Sequence, residues 1–405
     1  GDRPWLGGEA ANEACDQPLK LLVRTASDAY FAQSMSALRL PDPEASPLRK
    51  KVQRKEVWKL LKNIEDATFL AQMIAAVDLL RETFTGYSAE EVLQALEEER
   101  GASARDKEPP LRSAEYARLA GAPLEKPGVI PERGVEFSAF RVPSDSIDLP
   151  HGIGGLVVVP ELREVRVQLS FSRFDSIGAD LQGEYDFSRA RIRPAVLTHP
   201  AAGQKWLPAA EIRGEGIFIE LDPEVLAEWE SRPAVKERDA LLREACLAEG
   251  NNDYLGIRFY LLHSLSHLLM TAISLECGYA ASAIRERIYC SAPHDPGPGM
   301  AAILLMTGTT GSEGTLGGLV EEGRRLRLHL REAWELGRLC SNDPVCAAHD
   351  PRTEMEDRHL EGAACHGCLY IAENSCERFN RYLDRALVVP TIGNDPELAY
   401  FGTRP

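Results

Sequence analysis

"GAACHGCLYIAENSC", residues 362–376, packs three of the nine cysteines of a 405-residue chain into fifteen positions. Thiols this close are disulfide partners, a redox pair, metal ligands, or a nucleophile with bystanders. Two more stand upstream, so Cys340, Cys346, Cys365, Cys368 and Cys376 are separated by 5, 18, 2 and 7 residues. A Cys-x-x-Cys step lets two thiolates converge on one tetrahedral ion, and a second pair from elsewhere closes the site. The loop between Cys346 and Cys365 is polar, with little core of its own, and ligation at both ends would clip it. Leu369, directly after Cys368, excludes a haem-attachment motif, and no strand is predicted before Cys365, as a thioredoxin-like pair would require. The spacing therefore predicts a structural zinc site. Five cysteines compete for four places: Cys346, Cys365 and Cys368 come first, and Cys340 and Cys376 contend for the last. His349, His359 and His366 are near enough in sequence to ligate as well.

Working outward, the composition is globular: 44% hydrophobic and 27% charged residues can bury a sizeable core. No apolar run approaches the roughly 18 residues of a membrane span, and no basic-then-apolar leader opens the chain. The reading is a cytoplasmic protein, where clustered thiols stay reduced and available to metal. A first residue of Gly rather than Met fits a processed or partial chain. Net charge is −16, from 46 basic and 62 acidic residues, which argues against indiscriminate coating of nucleic acid. Local basic clusters remain at Arg49, Lys50, Lys51, Arg54 and Lys55, at Arg189, Arg191 and Arg193, and at Arg324, Arg325 and Arg327. Each alone reads first as a solvated helix face. Cys15, Cys246, Cys277 and Cys290 read as ordinary small apolar residues.

The pattern predicts a multidomain α+β, or mixed α/β, protein. Residues 1–44 form a connector with one short ordered stretch, 45–130 a helical region, 131–250 a β-rich middle domain, and 251–405 an α/β domain bearing the zinc site. Val57, Leu60, Leu61, Ile64, Phe69, Ile74 and Val77 recur at helical spacing, and Ser88-Ala89-Glu90-Glu91 is a capping box for the next helix. Strands are expected at 152–160, 163–174 and 214–221, and a charged helix over 223–249. "YLGIRFYLLHSLSHLLMTAISLE" (254–276) is apolar almost all round and so a buried helix. A strand at 301–306, a Gly-rich turn at 307–318 and an amphipathic helix at 319–338 follow.

Two weaker signals need weighing. His263 and His267 stand four apart on one helix face, but H-S-L-S-H lacks the Glu of the zinc-hydrolase motif. They read as core histidines bonded to backbone or to a carboxylate; the alternative is a metal-dependent nuclease or hydrolase using both, with Glu276. The Gly-rich turn could cradle a phosphate at the following helix, yet it has no P-loop Lys, and no GK[ST] occurs in these residues. Nucleotide hydrolysis is not expected.

Taken as a series, "HSLSHLLM", "GTTGSEGTLGGL", "GAACHGC" and "CERFNRYLDRALV" resemble the zinc-binding domain at the C-terminus of MrfA-type DNA-repair helicases. "PWLG", "RTASDAYFAQSMSALRLP" (24–41), "FSRF" (171–174) and "WLPAAEIRGEGIFIEL" (206–221) resemble the DrmB subunits of the DISARM anti-phage system. That resemblance implies a missing N-terminal zinc ribbon ahead of Trp5, to which Cys15 would belong. It also implies a Zn2+ cofactor, a separate DrmA-like helicase as partner, and joint engagement of phage DNA. The chain would then be a non-motor accessory subunit rather than an enzyme, with no membrane association, and with Arg189, Arg191, Arg193, Arg324, Arg325 and Arg327 as candidate DNA contacts.

Overall fold

Capping chemistry and strand alternation divide the chain more finely than the periodicity suggests. A computed structural model describes residues 31–40, 47–52, 54–64, 66–104, 110–126, 137–172, 178–187, 192–198, 205–248, 254–292, 299–309, 318–353 and 358–405. Strand β1 (Phe31–Leu38) comes first among the described residues. Six helices follow: α1 (Pro47–Val52), α2 (Lys55–Leu61), α3 (Ala67–Ala76), α4 (Asp78–Thr83), α5 (Ala89–Ala104) and α6 (Leu111–Ala120). The periodic run is thus broken into short pieces. Val77 is extended (φ −107°, ψ 115°) and ends α3, and Asp66 caps α3 through Phe69 N at 2.7 Å. The capping box forms as read: Glu91 N donates to Ser88 Oγ and Ser88 N to Glu91 Oε2, at 3.2 and 2.7 Å. Val52, Val57, Leu61, Leu70, Leu80 and Leu96 form the core of this helical region.

The middle supplies β2 (Ser138–Arg141), β3 (Ile153–Ser172), β4 (Ile192–Pro194), β5 (Leu197–Thr198), β6 (Lys205–Trp206) and β7 (Ala209–Leu221). The two strands expected either side of Pro160 are one 20-residue strand, β3. Pro160 is tolerated because the β2–β3 register slips there: Ser138 faces Glu161, but Phe140 faces Val158. The bulge removes the ladder bond that proline cannot donate. The expected 223–249 helix is two, α7 (Pro223–Ser231) and α8 (Pro233–Ala248), parted where Arg232 turns extended before Pro233.

Next come α9 (Ile257–Cys277), β8 (Ile284–Cys290), β9 (Ala301–Thr309), α10 (Gly318–Gly323) and α11 (Leu326–Arg338). The last two replace the single amphipathic helix expected over 319–338. Strand β9 pairs antiparallel with β7 from Arg213↔Thr309 to Glu220↔Ala302, and with β8 from Ile284↔Thr307 to Cys290↔Ala301. Helix α9 is buried along almost its whole length because its apolar surface has no polar face to turn outward. No helix among the described residues is long and apolar enough to cross a membrane. Beyond α11 the described chain is turns and two single 3-10 turns.

The chain divides into two compact units. The smaller gathers described residues of Gly1–Met35, Val167–Ala179 and Tyr185–Ala209. Inside it Gln33, fully buried, donates to Ser172 Oγ at 2.8 Å and accepts from Ser170 Oγ at 2.9 Å. The larger comprises Ser36–Arg166, Asp180–Glu184 and Ala210–Pro405. The expected boundary at residue 250 lies inside this larger unit, and β7 and β9 pair across it.

One glycine on that seam has no room for a side chain. A Cβ at Gly214 on β7 would sit 1.6 Å from the Thr307 carbonyl oxygen on β9. Gly214→Ala should therefore force the two strands apart and cost on the order of 1–3 kcal/mol, read as a lowered urea midpoint at unchanged m. An unshifted midpoint would count against this packing.

Candidate metal centres

The cysteine stretch folds around a sulfur cluster. Leu339 turns extended after α11 and delivers Cys340, whose N–H donates to Asp343 Oδ2 at 2.8 Å. Cys340 Sγ lies 3.4 Å from Cys365 Sγ, which is 3.8 Å from Cys368 Sγ; Cys346 Sγ and Cys368 Sγ are 3.7 Å apart. All four sulfurs lie within 4.8 Å of one another. A tetrahedron with Zn–S bonds of roughly 2.3 Å has edges of about 3.8 Å, so the donor set fits zinc. Backbone amides turn toward the sulfurs: Asn342 N to Cys340 Sγ at 3.4 Å and Gly367 N to Cys365 Sγ at 3.3 Å. Gly367 lets the loop close on the cluster, since a Cβ would crowd Ser341 Oγ at 2.6 Å and Cys340 Sγ at 3.2 Å.

Electrostatics favour thiolate at one member. The Cys368 thiol bonded to Cys346 pulls the latter down to about 5, with Cys365 and the Arg385 guanidinium adding to it. Burial pushes Cys340 up, because a lone thiolate is poorly solvated there. Arg385, 0% exposed, donates to the Gly337 carbonyl at 2.8 Å and pairs with Asp343, so a fixed cation stands beside the sulfurs. Asp384 fastens the same loop, accepting from Ala363 N at 3.1 Å and pairing with Arg238 at 2.7 Å.

Cys376, the other contender, is elsewhere. It joins His263, His267 and Glu286 in a second cluster whose ligand atoms also lie within 4.8 Å of one another. His263 and His267 are 0% exposed and Glu286 2%. His263 Nδ1 bonds the Tyr382 carbonyl at 3.2 Å and His267 Nδ1 the Leu369 carbonyl at 2.8 Å. Carbonyls only accept, so both Nδ1 atoms carry the proton. The Nε2 of His263 faces Glu286 Oε1 at 2.9 Å and Cys376 Sγ at 3.2 Å; that of His267 faces the same Oε1 at 3.4 Å. Burial pushes His263 down and Cys376 well up. The expectation of core histidines bonded to backbone and carboxylate matches this geometry. Glu276, however, is not their partner: it pairs with Arg325 at 2.9 Å. Glu286, on β8, takes that place; the sequence pattern does not single it out, because β8 itself is not expected from it.

The other histidines near the cysteines turn away from the sulfurs. His349 bonds the Arg358 carbonyl at 3.0 Å, His359 the Pro351 carbonyl at 3.1 Å, and His366 packs edge-on against Tyr370. The basic triad sits where α10 meets α11, and every guanidinium faces a carboxylate. Arg324 makes a two-bonded pair with Glu125 at 2.8 and 2.6 Å, Arg325 meets Glu276 and Glu322, and Arg327 meets Asp148 at 2.8 Å. Arg189 and Arg191 lie outside the described residues, as do Cys15 and most of the Gly-rich turn; Arg193 lies on β4, paired with Phe171.

Residues 265–369 match the MrfA Zn-binding domain family, a span that includes Cys340, Cys346, Cys365 and Cys368 and ends before Cys376. The class is thus a protein that carries a match to the MrfA Zn-binding domain. At 31% identity over 421 aligned positions, 97% of this chain covers 68% of the DISARM protein DrmB of Bacillus paralicheniformis (strain ATCC 9945a / NCIMB 11709 / CD-2). The chain belongs to the DrmB family. The crystal structure of the DUF1998 helicase MrfA bound to DNA is a slight likeness, with a TM-score of 0.25 and 14% identity. The match covers 56% of this chain and about a quarter (24%) of that one.

Proposed function

We propose that this chain is the non-motor accessory subunit of a DISARM-type anti-phage helicase complex. It partners a DrmA-like helicase and contacts DNA backbone, with Zn2+ held by Cys340, Cys346, Cys365 and Cys368. The observation that carries the reading is the four-sulfur cluster lying inside the zinc-domain match of a DrmB-family chain. Zinc would act here as a clip, since four thiolates leave no open coordination position for chemistry. The absence of a GK[ST] motif from these 405 residues supports assigning the motor to a partner.

DNA contact is assigned to Arg324, Arg325 and Arg327, with Arg189, Arg191 and Arg193 as a second candidate set. The carboxylates facing the first triad do not forbid this. Exposed pairs are worth about 0–1 kcal/mol, so phosphate can displace them at little cost. A triple Arg324→Gln, Arg325→Gln, Arg327→Gln variant in the assembled complex is expected to weaken DNA binding at low salt. It should also reduce the slope of log affinity against log salt by about 3, roughly one for each phosphate that is no longer neutralised. Unchanged affinity and slope would exclude the triad. The alternative, a hydrolase built on His263 and His267, has their complete burial against it.

A further inference from the structure

We infer that His263, His267, Glu286 and Cys376 form a second, structural metal site of N2OS donors, separate from the four-cysteine cluster. The proposal is independent of the DNA-binding reading above.

Each imidazole has committed its Nδ1–H to a backbone carbonyl, at 3.2 Å for His263 and 2.8 Å for His267. What remains on each neutral ring is the Nε2 lone pair. Both are turned toward one carboxylate oxygen, Glu286 Oε1, at 2.9 and 3.4 Å. Cys376 Sγ approaches the same point at 3.2 Å from the His263 Nε2. Acceptor atoms thus converge on one point with at most the Cys376 thiol proton among them. A divalent cation resolves the conflict in one step. It is also how metal-bound histidines are ordinarily held, with the far nitrogen donating to a carbonyl and so fixing the tautomer.

The sulfur is prepared in the same manner as those of the first site. Cys376 Sγ accepts Arg378 N at 3.3 Å and Asn380 N at 3.2 Å. The first of these repeats the i+2 amide contact that Cys340 and Cys365 receive. Two amide dipoles aimed at one buried sulfur stabilise a thiolate, the ligating form. The backbone is bent to deliver them: Phe379, Asn380 and Tyr382 all have positive φ, at 54°, 58° and 62°. Non-glycine residues hold that conformation when the surroundings require it. The Glu286 carboxylate is fixed too. Glu377 N donates to Oε1 at 3.0 Å and Ser266 Oγ bonds Oε2.

Two imidazoles, one carboxylate and one thiolate suit zinc and its transition-metal neighbours, and they exclude Mg2+ and Ca2+, which take oxygen. All four donors are buried, so the site pins elements together and does no hydrolysis. It would tie α9 to β8, the edge strand next to β9, and to the loop after Cys368.

The test uses the untagged chain, expressed with zinc and dialysed. Zinc is counted by plasma mass spectrometry, and its coordination shell read by X-ray absorption. Two zinc per chain, with imidazole scattering beside sulfur, is the expected result. One zinc per chain in a sulfur-only shell would overturn the proposal and leave a protonated His–Glu–Cys network. In Cys376→Ala the count should fall to one and the imidazole signature vanish, and persistence of that signature would equally overturn it. Should Cys376→Ala not fold, the wild-type spectrum decides alone.

Discussion

Serine at both Cys365 and Cys368 is expected to cost this chain one zinc ion and the ordered structure of its last sixty or so residues. After α11 no α-helix or strand is described, and the backbone is held by turns, side-chain bonds and the sulfur cluster. Structural zinc contributes an apparent ~10–16 kcal/mol to folding at neutral pH, comparable with the 5–15 kcal/mol that holds a whole domain. No surface repacking offsets a loss of that size. The fastenings around the clip act on positions the clip sets: Arg385 spans Gly337 and Asp343, and Asp384 holds Ala363. Metal analysis should register the lost zinc, and a thermal melt by circular dichroism a large fall in Tm or a separate early transition. A double variant with full zinc content and the parental melt would show that these thiols clip nothing. A strong chelator, which would empty both sites, should lower the melt at least as far as the variant does.

How far the sequence foretold this arrangement depends on which residues carried the signal. The four-sulfur site was legible because ligand spacing is a local property: Cys365-x-x-Cys368 announces itself without knowledge of the fold. The choice between Cys340 and Cys376 was not legible, since it depends on how the chain returns after Cys368. The structure draws Cys376 to α9 through His263, with His267 in the same cluster, both more than a hundred residues upstream. Strand β8 was missed for a related reason. "IRERIYC" carries three consecutive charges that hide the pattern of a strand, yet each finds a buried partner. Arg285 meets Glu164 at 2.9 Å, Glu286 meets His263, and Arg287 meets Glu115 at 2.6 Å. Charge in a strand looks like exposure until the opposite charge is located, and none of those partners is near in sequence. The helix breaks at Arg232 and at Arg324–Arg325 fall where caps and tertiary pairs override a continuous periodic pattern.

Arg287→Met is expected to destabilise the larger unit by about 3–5 kcal/mol, the usual cost of leaving one half of a buried ion pair without the other. The guanidinium is 0% exposed and Glu115 1%. Nε and one Nη donate to the two oxygens of Glu115 at 2.7 and 2.6 Å, while the Nη groups also reach Ser36 Oγ at 2.6 Å and its carbonyl at 2.9 Å. Burial lowers the pKa of Arg287, but the Glu115 charge more than reverses this and raises it. Glu115 in turn accepts Leu38 N at 2.8 Å and Tyr289 Oη at 3.1 Å, so one carboxylate ties the end of β1, helix α6 and strand β8. Methionine keeps the length of the side chain and removes every donor, which leaves Glu115 buried with an uncompensated charge. Glu115→Gln isolates the other half: it keeps bonds to Leu38 N and an Nη, yet strands the cation, and should cost a similar amount. The double Glu115→Gln, Arg287→Met chain then discriminates between mechanisms. If the pair acts through mutual compensation, its loss is smaller than the sum of the single losses by a coupling of about 1–3 kcal/mol. Urea unfolding of the four chains measures that coupling, and strict additivity would mean that the two residues stabilise the fold through separate contacts.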